Sequence, residues 1–272
     1  MIMSKSTLAI ERDLEQKPVV VVKLGGSMLD QLSEDFYQSF GELRKHYHCI
    51  IVHGGGPAIT LMLDRLNIES EFYEGFRKTT KETLEVVEMA LSGKVNAQIT
   101  ADLAQQSIRA IGLKGSDAMM LTAKLIDQEK WGYVGTIEHV ETDLLLRCLN
   151  AGYMPVIAPL GKTSEGQTVN INADVAAAAV AKALSAEKLL FVTDVPGIIR
   201  EGTVIEETTP EDIESLIQTG LIHGGMVPKV NAAVEALSGQ LQEVMIVSGE
   251  HPLIEHNQMK GTRIRARRKE EV

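Results

Sequence analysis

Val19-Val20-Val21-Val22-Lys23-Leu24-Gly25-Gly26-Ser27 is the stretch that decides the fold. Four consecutive valines have the composition of a strand buried on both faces. The run ends in Lys-x-Gly-Gly. That places a cation and two amides without side chains at the carboxyl end of the strand, where open α/β sheets bind ligands. Gly25 and Gly26 let backbone N–H groups approach a phosphate closely, and Lys23 supplies positive charge. The pattern recurs where Cys49-Ile50-Ile51-Val52 runs into His53-Gly54-Gly55-Gly56-Pro57. Two such loops, each after a buried strand, point to a site that surrounds an anionic substrate.

Outward from these loops, strand-like and helix-like stretches alternate. Strands are expected over 19–24, 49–52, 108–113, 155–158, 188–192 and 244–247. Helices are expected over 35–46, 57–66, 80–91, 96–106, 143–150, 174–184, 210–219 and 228–237. Pro57 suits a first helical turn, Thr80 a cap, and Gly152 the residue past a helix end. The region 114–137 reads as an irregular hairpin. The alternation predicts right-handed crossovers and a mainly parallel α/β sheet with both faces covered. The weakest seam falls near 185–188, which predicts two lobes sharing one continuous sheet.

The bulk properties exclude several classes. With 272 residues the chain can bury a sizeable core. A net charge of −10 argues against general binding of nucleic acid or anionic membranes. Cys49 and Cys148 have no metal-like spacing and read as buried thiols of a reducing compartment, hence a cytoplasmic protein. The first 16 residues lack the apolar core of a signal peptide, and no apolar run is long enough to span a membrane. The charged tail 263–272 reads as a solvated terminus.

The sequence holds no G-x-x-x-x-G-K-[ST] and no G-x-G-x-x-G after the first strand, so a Walker loop and a dinucleotide site are poor readings. His-Gly-Gly-Gly resembles an esterase oxyanion loop, but neither Ser27 nor Ser116 sits in the G-x-S-x-G elbow such enzymes need. His53 reads as a satisfied strand-end histidine. Asp174, opening an alanine-rich stretch after Val169-Asn170-Ile171-Asn172, reads on its own as an N-cap. Asp194, in Thr193-Asp194-Val195-Pro196-Gly197, is a turn former or a nucleotide-side carboxylate. Lys229 follows Gly224-Gly225-Met226-Val227-Pro228 in a first helical turn. The macrodipole disfavours a cation there unless an anion is near. Arg77 alone could be any exposed arginine, and Lys78 and Lys81 read as solvent-facing.

Taken in order, Lys-Leu-Gly-Gly-Ser, His-Gly-Gly-Gly-Pro, Gly-Phe-Arg-x-Thr, Val-Asn-Ile-Asn-Ala-Asp, Thr-Asp-Val-Pro-Gly and Gly-Gly-Met-x-x-Lys-Val resemble the amino acid kinase family over about 18–264. Within it they resemble the members that phosphorylate N-acetyl-L-glutamate. The resemblance implies an αβα sandwich and an ATP-dependent transfer to the substrate's side-chain carboxylate. The product is N-acetyl-L-glutamyl 5-phosphate, made in the second step of arginine biosynthesis. It implies a lobe at 1–185 for acetylglutamate binding and dimerisation, a lobe at 186–272 for ATP, and a homodimer. Lys23 and Lys229 would contact the transferring phosphoryl group, with Asp174 holding both lysines. Gly25 and Gly26 would bind phosphate. Gly55, Gly56, Arg77 and Asn170 would bind the substrate. Asp194, Val195, Gly197, Ile198, Ile199, Leu221, Ile222 and His223 would line the nucleotide pocket. Mg²⁺ would ride on the nucleotide phosphates, with no protein metal site. The rival readings are a kinase of acetylated aminoadipate and a non-catalytic nucleotide- or anion-binding protein on the same fold. The short segment before the first strand and Gly261-Thr262-Arg263-Ile264 resemble family members that arginine does not inhibit.

Overall fold

The computed structural model describes residues 17–29, 31–73, 76–224, 226–237, 241, 243–255 and 258–265. The expectations for 1–16 and for the end of the tail, 266–272, lie outside the described residues. The main sheet has eight strands. They are β1 (Val19–Leu24), β2 (His48–His53), β3 (Ala110–Lys114), β4 (Met154–Ala158), β5 (Lys188–Thr193), β6 (Glu207–Thr208), β7 (Glu243–Ser248) and β8 (Thr262–Arg265). Their spatial order is β6-β8-β7-β5-β1-β2-β4-β3. Pairing is parallel throughout except where β8 runs antiparallel to β7. The two strands absent from the sequence reading, β6 and β8, form this edge. They are short and charged, so the apolar runs that betray central strands are missing there.

The helices that pack on the sheet are α1 (Glu34–His46), α2 (Gly56–Arg65), α3 (Lys81–Glu88), α4 (Asn96–Gln105), α5 (Asp143–Asn150), α6 (Ala173–Ala183), α7 (Pro210–Gln218) and α8 (Met226–Ala236), besides one short turn of helix at Gln128–Trp131. They cover both faces of the sheet, giving an αβα sandwich. The period of two in β1 assigns the faces. Val20, Val22 and Leu24 pack with Phe36, Phe40 and Leu43 of α1 and Ile99 and Leu103 of α4. Val19 and Val21 pack with Ala176, Ala177 and Val180 of α6 and Val230 and Ala233 of α8. Val20, Val21 and Val22 are wholly buried, which contributes on the order of 1.5–3 kcal/mol each. Lys23 shares the face of Val19 and Val21. Its side chain is thereby aimed at the start of α6.

The hairpin expected within 114–137 is present as Leu121–Leu125 antiparallel to Val134–Val140. These two strands close a four-stranded barrel with Leu160–Lys162 and Thr168–Ile171. The single helix expected over 80–91 runs as α3 and then a π-helical stretch, Met89–Val95, that leads directly into α4. Thr80 caps α3 by accepting the Thr83 N–H at 3.1 Å.

Ions gather at the amino ends of the strands. Glu243, whose side chain is 6% exposed, meets Lys188 at 2.8 Å, Arg263 at 3.4 Å and Arg265. Burial pushes the Glu243 carboxyl up, but the hydrogen bonds and charges of Lys188 and Arg265 outweigh it and leave the group below its ordinary value. On the opposite side of β8, the Thr262 hydroxyl accepts the Ile198 N–H at 2.8 Å. Cys49 and Cys148 are buried free thiols. Burial pushes Cys49 up to about 12.

Candidate active site

The carboxyl ends of β1, β2 and β5 lie side by side, because Leu24 is in register with His53 on one flank and with Val192 on the other. Three loops therefore emerge on one rim: Gly25–Gly26, Gly54–Gly56 and Thr193–Gly197. The first two touch backbone to backbone. A Cβ on Gly26 would lie 2.5 Å from the Gly55 nitrogen, 2.7 Å from the Gly55 Cα and 2.8 Å from the Gly56 nitrogen. Glycine at 26 is thus dictated by the neighbouring loop as well as by any ligand. Gly54 N–H donates to the Leu24 carbonyl at 2.8 Å and ties the loops further. Gly25 is different: a Cβ there would meet nothing closer than 3.6 Å.

Lys23 Nζ lies 2.8 Å from Asp174 Oδ1, with side chains 13% and 26% exposed. The N-cap of α6 is Asn172, not Asp174: its side-chain oxygen accepts the N–H groups of Asp174 and Val175 at 2.8 and 3.3 Å. That leaves the Asp174 carboxylate free to face Lys23. Lys229, in the first turn of α8, donates to the Thr193 hydroxyl and lies 3.3 Å from Asp194 Oδ1. Asp174 accordingly holds Lys23, whereas Lys229 is held by Thr193 and Asp194, a departure from one aspartate serving both lysines. The Thr193 hydroxyl donates to Asp194 at 2.8 Å. That bond, the Asp194 backbone N–H and the charge of Lys229 hold the Asp194 carboxyl below its ordinary range. Thr193 was missed in the sequence, although its place as the last residue of β5 next to Asp194 marks it.

Arg77 is buried rather than exposed. Its guanidinium donates to Gly56 O at 3.2 Å, to Thr60 Oγ1 at 2.7 Å and to Ser70 Oγ, and it lies 4.5 Å from the centre of the Phe72 ring. Burial lowers its pKa, partly offset by Asp64. Asn170 donates to the Thr79 hydroxyl at 3.2 Å, and that hydroxyl donates to the Arg77 carbonyl at 2.9 Å. Gly56, Arg77 and Asn170 thus form one connected cluster, and Thr79 is the link that sequence reading passed over. Its place two residues after Arg77, on the same side of an extended segment, was its signal. Lys78 pairs with Glu71 at 2.9 Å.

On the β5 side the candidates divide. Asp194, Ile199 and His223 are exposed, and Val195 and Leu221 are half-buried. Ile198 and Ile222 are only 2% and 3% exposed and belong to the core beneath. Their side chains are therefore scaffold, not pocket lining. Gly197 has φ +148°, and a Cβ there would lie 2.6 Å from Thr262 Oγ1. A cavity of about 940 Å³ under the hairpin of Ile254–Glu255 and Gln258–Met259 reaches this loop only at Pro196.

The arrangement sets two ammonium groups, each with its own aspartate, beside two interlocked glycine loops and a buried guanidinium. Such a rim is built to neutralise and orient anions. The family model described as "Amino acid kinase family" matches residues 18–248. The chain is 52% identical over 247 residues to an acetylglutamate kinase of Geobacillus sp. (strain WCH70), covering 90% of this chain and 96% of that one. It is 50% identical over 249 residues to an acetylglutamate kinase of Bacillus subtilis (strain 168), covering 91% and 96%. Among solved structures, smu.665 from Streptococcus mutans UA159 superposes with a TM-score of 0.80 at 31% identity, over 92% of this chain and 99% of that one. By its fold, its rim of loops and these likenesses, the chain belongs to the amino acid kinase family.

Proposed function

We propose that this protein transfers the γ-phosphoryl group of ATP to the side-chain carboxylate of N-acetyl-L-glutamate, giving N-acetyl-L-glutamyl 5-phosphate for arginine biosynthesis. The observation that carries the reading is the rim itself: Lys23 near the end of β1, and Lys229 reaching from the first turn of α8 to the end of the adjacent strand β5, are each tethered to a carboxylate beside Gly26 packed on Gly55. Relatives at about half identity that carry the name acetylglutamate kinase support the choice of substrate.

The acceptor carboxylate is already ionised near neutral pH, so no residue has to take a proton. One of its oxygens attacks the γ-phosphorus, and the bond from that phosphorus to the bridging oxygen of ADP breaks. The obstacle is repulsion between two anions, and the remedy is positioning and charge. Lys23 and Lys229 neutralise the migrating group. Asp174 orients Lys23, and Thr193 with Asp194 orients Lys229. Gly25, Gly26, Gly55 and Gly56 offer backbone N–H groups. Arg77 and Asn170, joined through Thr79, grip the acetylglutamate carboxylate and its other polar groups. The nucleotide lies on 194–199 and 221–223, contacting Ile198 and Ile222 through backbone only. Mg²⁺ carried on the phosphates would supply further neutralisation. Asp174 and Asp194 are both engaged by ammonium groups, which suits a metal held by the nucleotide and not by these carboxylates.

The same reading assigns 1–185 to acetylglutamate and dimerisation and 186–272 to ATP, in a cytoplasmic homodimer. No described helix is long and apolar enough to cross a membrane. Leu61 on α2, Leu66 just past its end and Met89 just after α3 are exposed and would supply apolar surface for a second copy. The test is a hydroxamate assay with ATP and Mg²⁺ over acetylglutamate, glutamate, aspartate and acetylated aminoadipate. Acyl phosphate formed preferentially from acetylglutamate is expected. Nucleotide binding without turnover on any carboxylate would refute the proposal.

A further inference from the structure

We propose that His53 and Asn96 are positioning residues, a buried lock that presets the direction of the Gly55 N–H before any substrate arrives. His53 is the last residue of β2, wholly buried, and directly precedes the triple glycine. Its Nε2 lies 3.0 Å from Asn96 Nδ2 and its Nδ1 lies 2.9 Å from the Gly54 carbonyl. Asn96 Nδ2 also donates to the Val156 carbonyl of β4 at 2.9 Å, which fixes which end of that amide is nitrogen. An amide NH₂ only donates, so Nε2 is the acceptor. The ring proton therefore sits on Nδ1 and is donated to Gly54 O.

The consequence follows from peptide geometry. In a trans peptide the C=O of one residue and the N–H of the next point in opposite directions. Pinning the Gly54 carbonyl inward on the imidazole turns the Gly55 N–H outward, toward the rim. The lock has its own fitted space: a Cβ on Gly112 would lie 2.0 Å from Asn96 Oδ1, and a Cβ on Gly55 would lie 2.5 Å from Leu91 Cδ2 in the π-helical stretch. That stretch delivers Asn96 to the sheet at the first residue of α4. Burial holds the imidazole neutral, with a pKa of about 4. His53 thus acts through Gly55 and not on the substrate. The inference rests on the reading of Gly55 and Gly56 as the loop that binds the acceptor.

Two substitutions separate the bonds. Asn at 53 carries an N–H at the distance of Nδ1 from the backbone and can keep the Gly54 bond. Gln reaches as far as Nε2 and can keep only the Asn96 bond. For His53→Gln, kcat/KM for acetylglutamate should fall about tenfold or more with the KM for ATP unchanged, and His53→Asn should recover most of that loss. Equal effects of the two variants, or an unaltered His53→Gln enzyme, would overturn the proposal. To make the test independent of how the variants fold, the wild-type protein is also read by long-range ¹H–¹⁵N spectra of the imidazole near neutral pH. A neutral ring protonated at Nδ1 is expected, and an Nε2–H ring or an imidazolium would refute the lock. That readout needs no turnover: a wild type inert on acetylglutamate would defeat the functional reading, and the tautomer would still decide whether the lock exists.

Discussion

Gly26→Ala should cripple turnover, while Gly25→Ala, one residue away in the same loop, should not. The added methyl at 26 would sit 2.5 Å from the Gly55 nitrogen, about 0.9 Å inside the 3.4 Å at which ordinary contact begins. All three of its nearest atoms are backbone, so no side-chain rotation relieves the clash. The two loops must separate by nearly 1 Å, and a displacement of that size in a positioned site costs about a hundredfold in rate. Overpacking of this kind also costs about 1–3 kcal/mol of stability. At 25 the methyl would lie 3.6 Å from the Val192 carbonyl, and φ of −65° suits alanine. Its N–H survives, and activity should stay within about two- to threefold. The measurements are kcat by the hydroxamate assay and a thermal melt on each variant. A Gly26→Ala enzyme that is folded and near wild-type rate, or a Gly25→Ala enzyme equally damaged, would refute the argument that the loops are set by each other.

Lys229→Ala should lower kcat far more than it raises either KM, since its charge matters most in the transition state; an unchanged kcat removes it from the catalytic set. Arg77→Ala should chiefly raise the KM for acetylglutamate, and a defect confined to ATP would contradict the carboxylate grip. Asp174→Asn should slow turnover without altering the shape of the pH–rate profile, whereas loss of the acidic limb would make Asp174 the base. Stability should fall as pH drops from about 6.5 to 4, because the unfolded chain takes up a proton that buried His53, pushed down to about 4, refuses. The loss from His53 is on the order of 3 kcal/mol. His48, lowered first by burial and then by Lys17 and Arg44, adds to the slope. Urea midpoints for wild type and His53→Asn that change in parallel over this range would discount His53.

The central strands were legible because each is a short apolar run closed by glycine or proline, and burial on both faces writes itself in consecutive valines and isoleucines. The edge was not legible. Thr262–Arg265 alternates two charged residues with Thr and Ile, and Glu207–Thr208 is too short to have a pattern. At the site, Lys23 could be placed by the strand period alone. Which aspartate meets which lysine could not be read, because Asp174 and Lys229 reach the rim on different helices and no spacing encodes their separation. Asn96 carried a signal: it shares the buried helical face of Ile99 and Leu103, and a polar residue at core spacing asks for a partner.

The charged edge has a consequence for how the protein is made. Synthesis proceeds from the amino end, so a nascent chain that has just completed β7 holds Glu243 without Arg263 or Arg265 and an open strand flank where β8 belongs. Until residues 262–265 clear the ribosome, that flank is a surface for mispairing and for chaperone capture. Maturation of this half of the molecule therefore waits on β8.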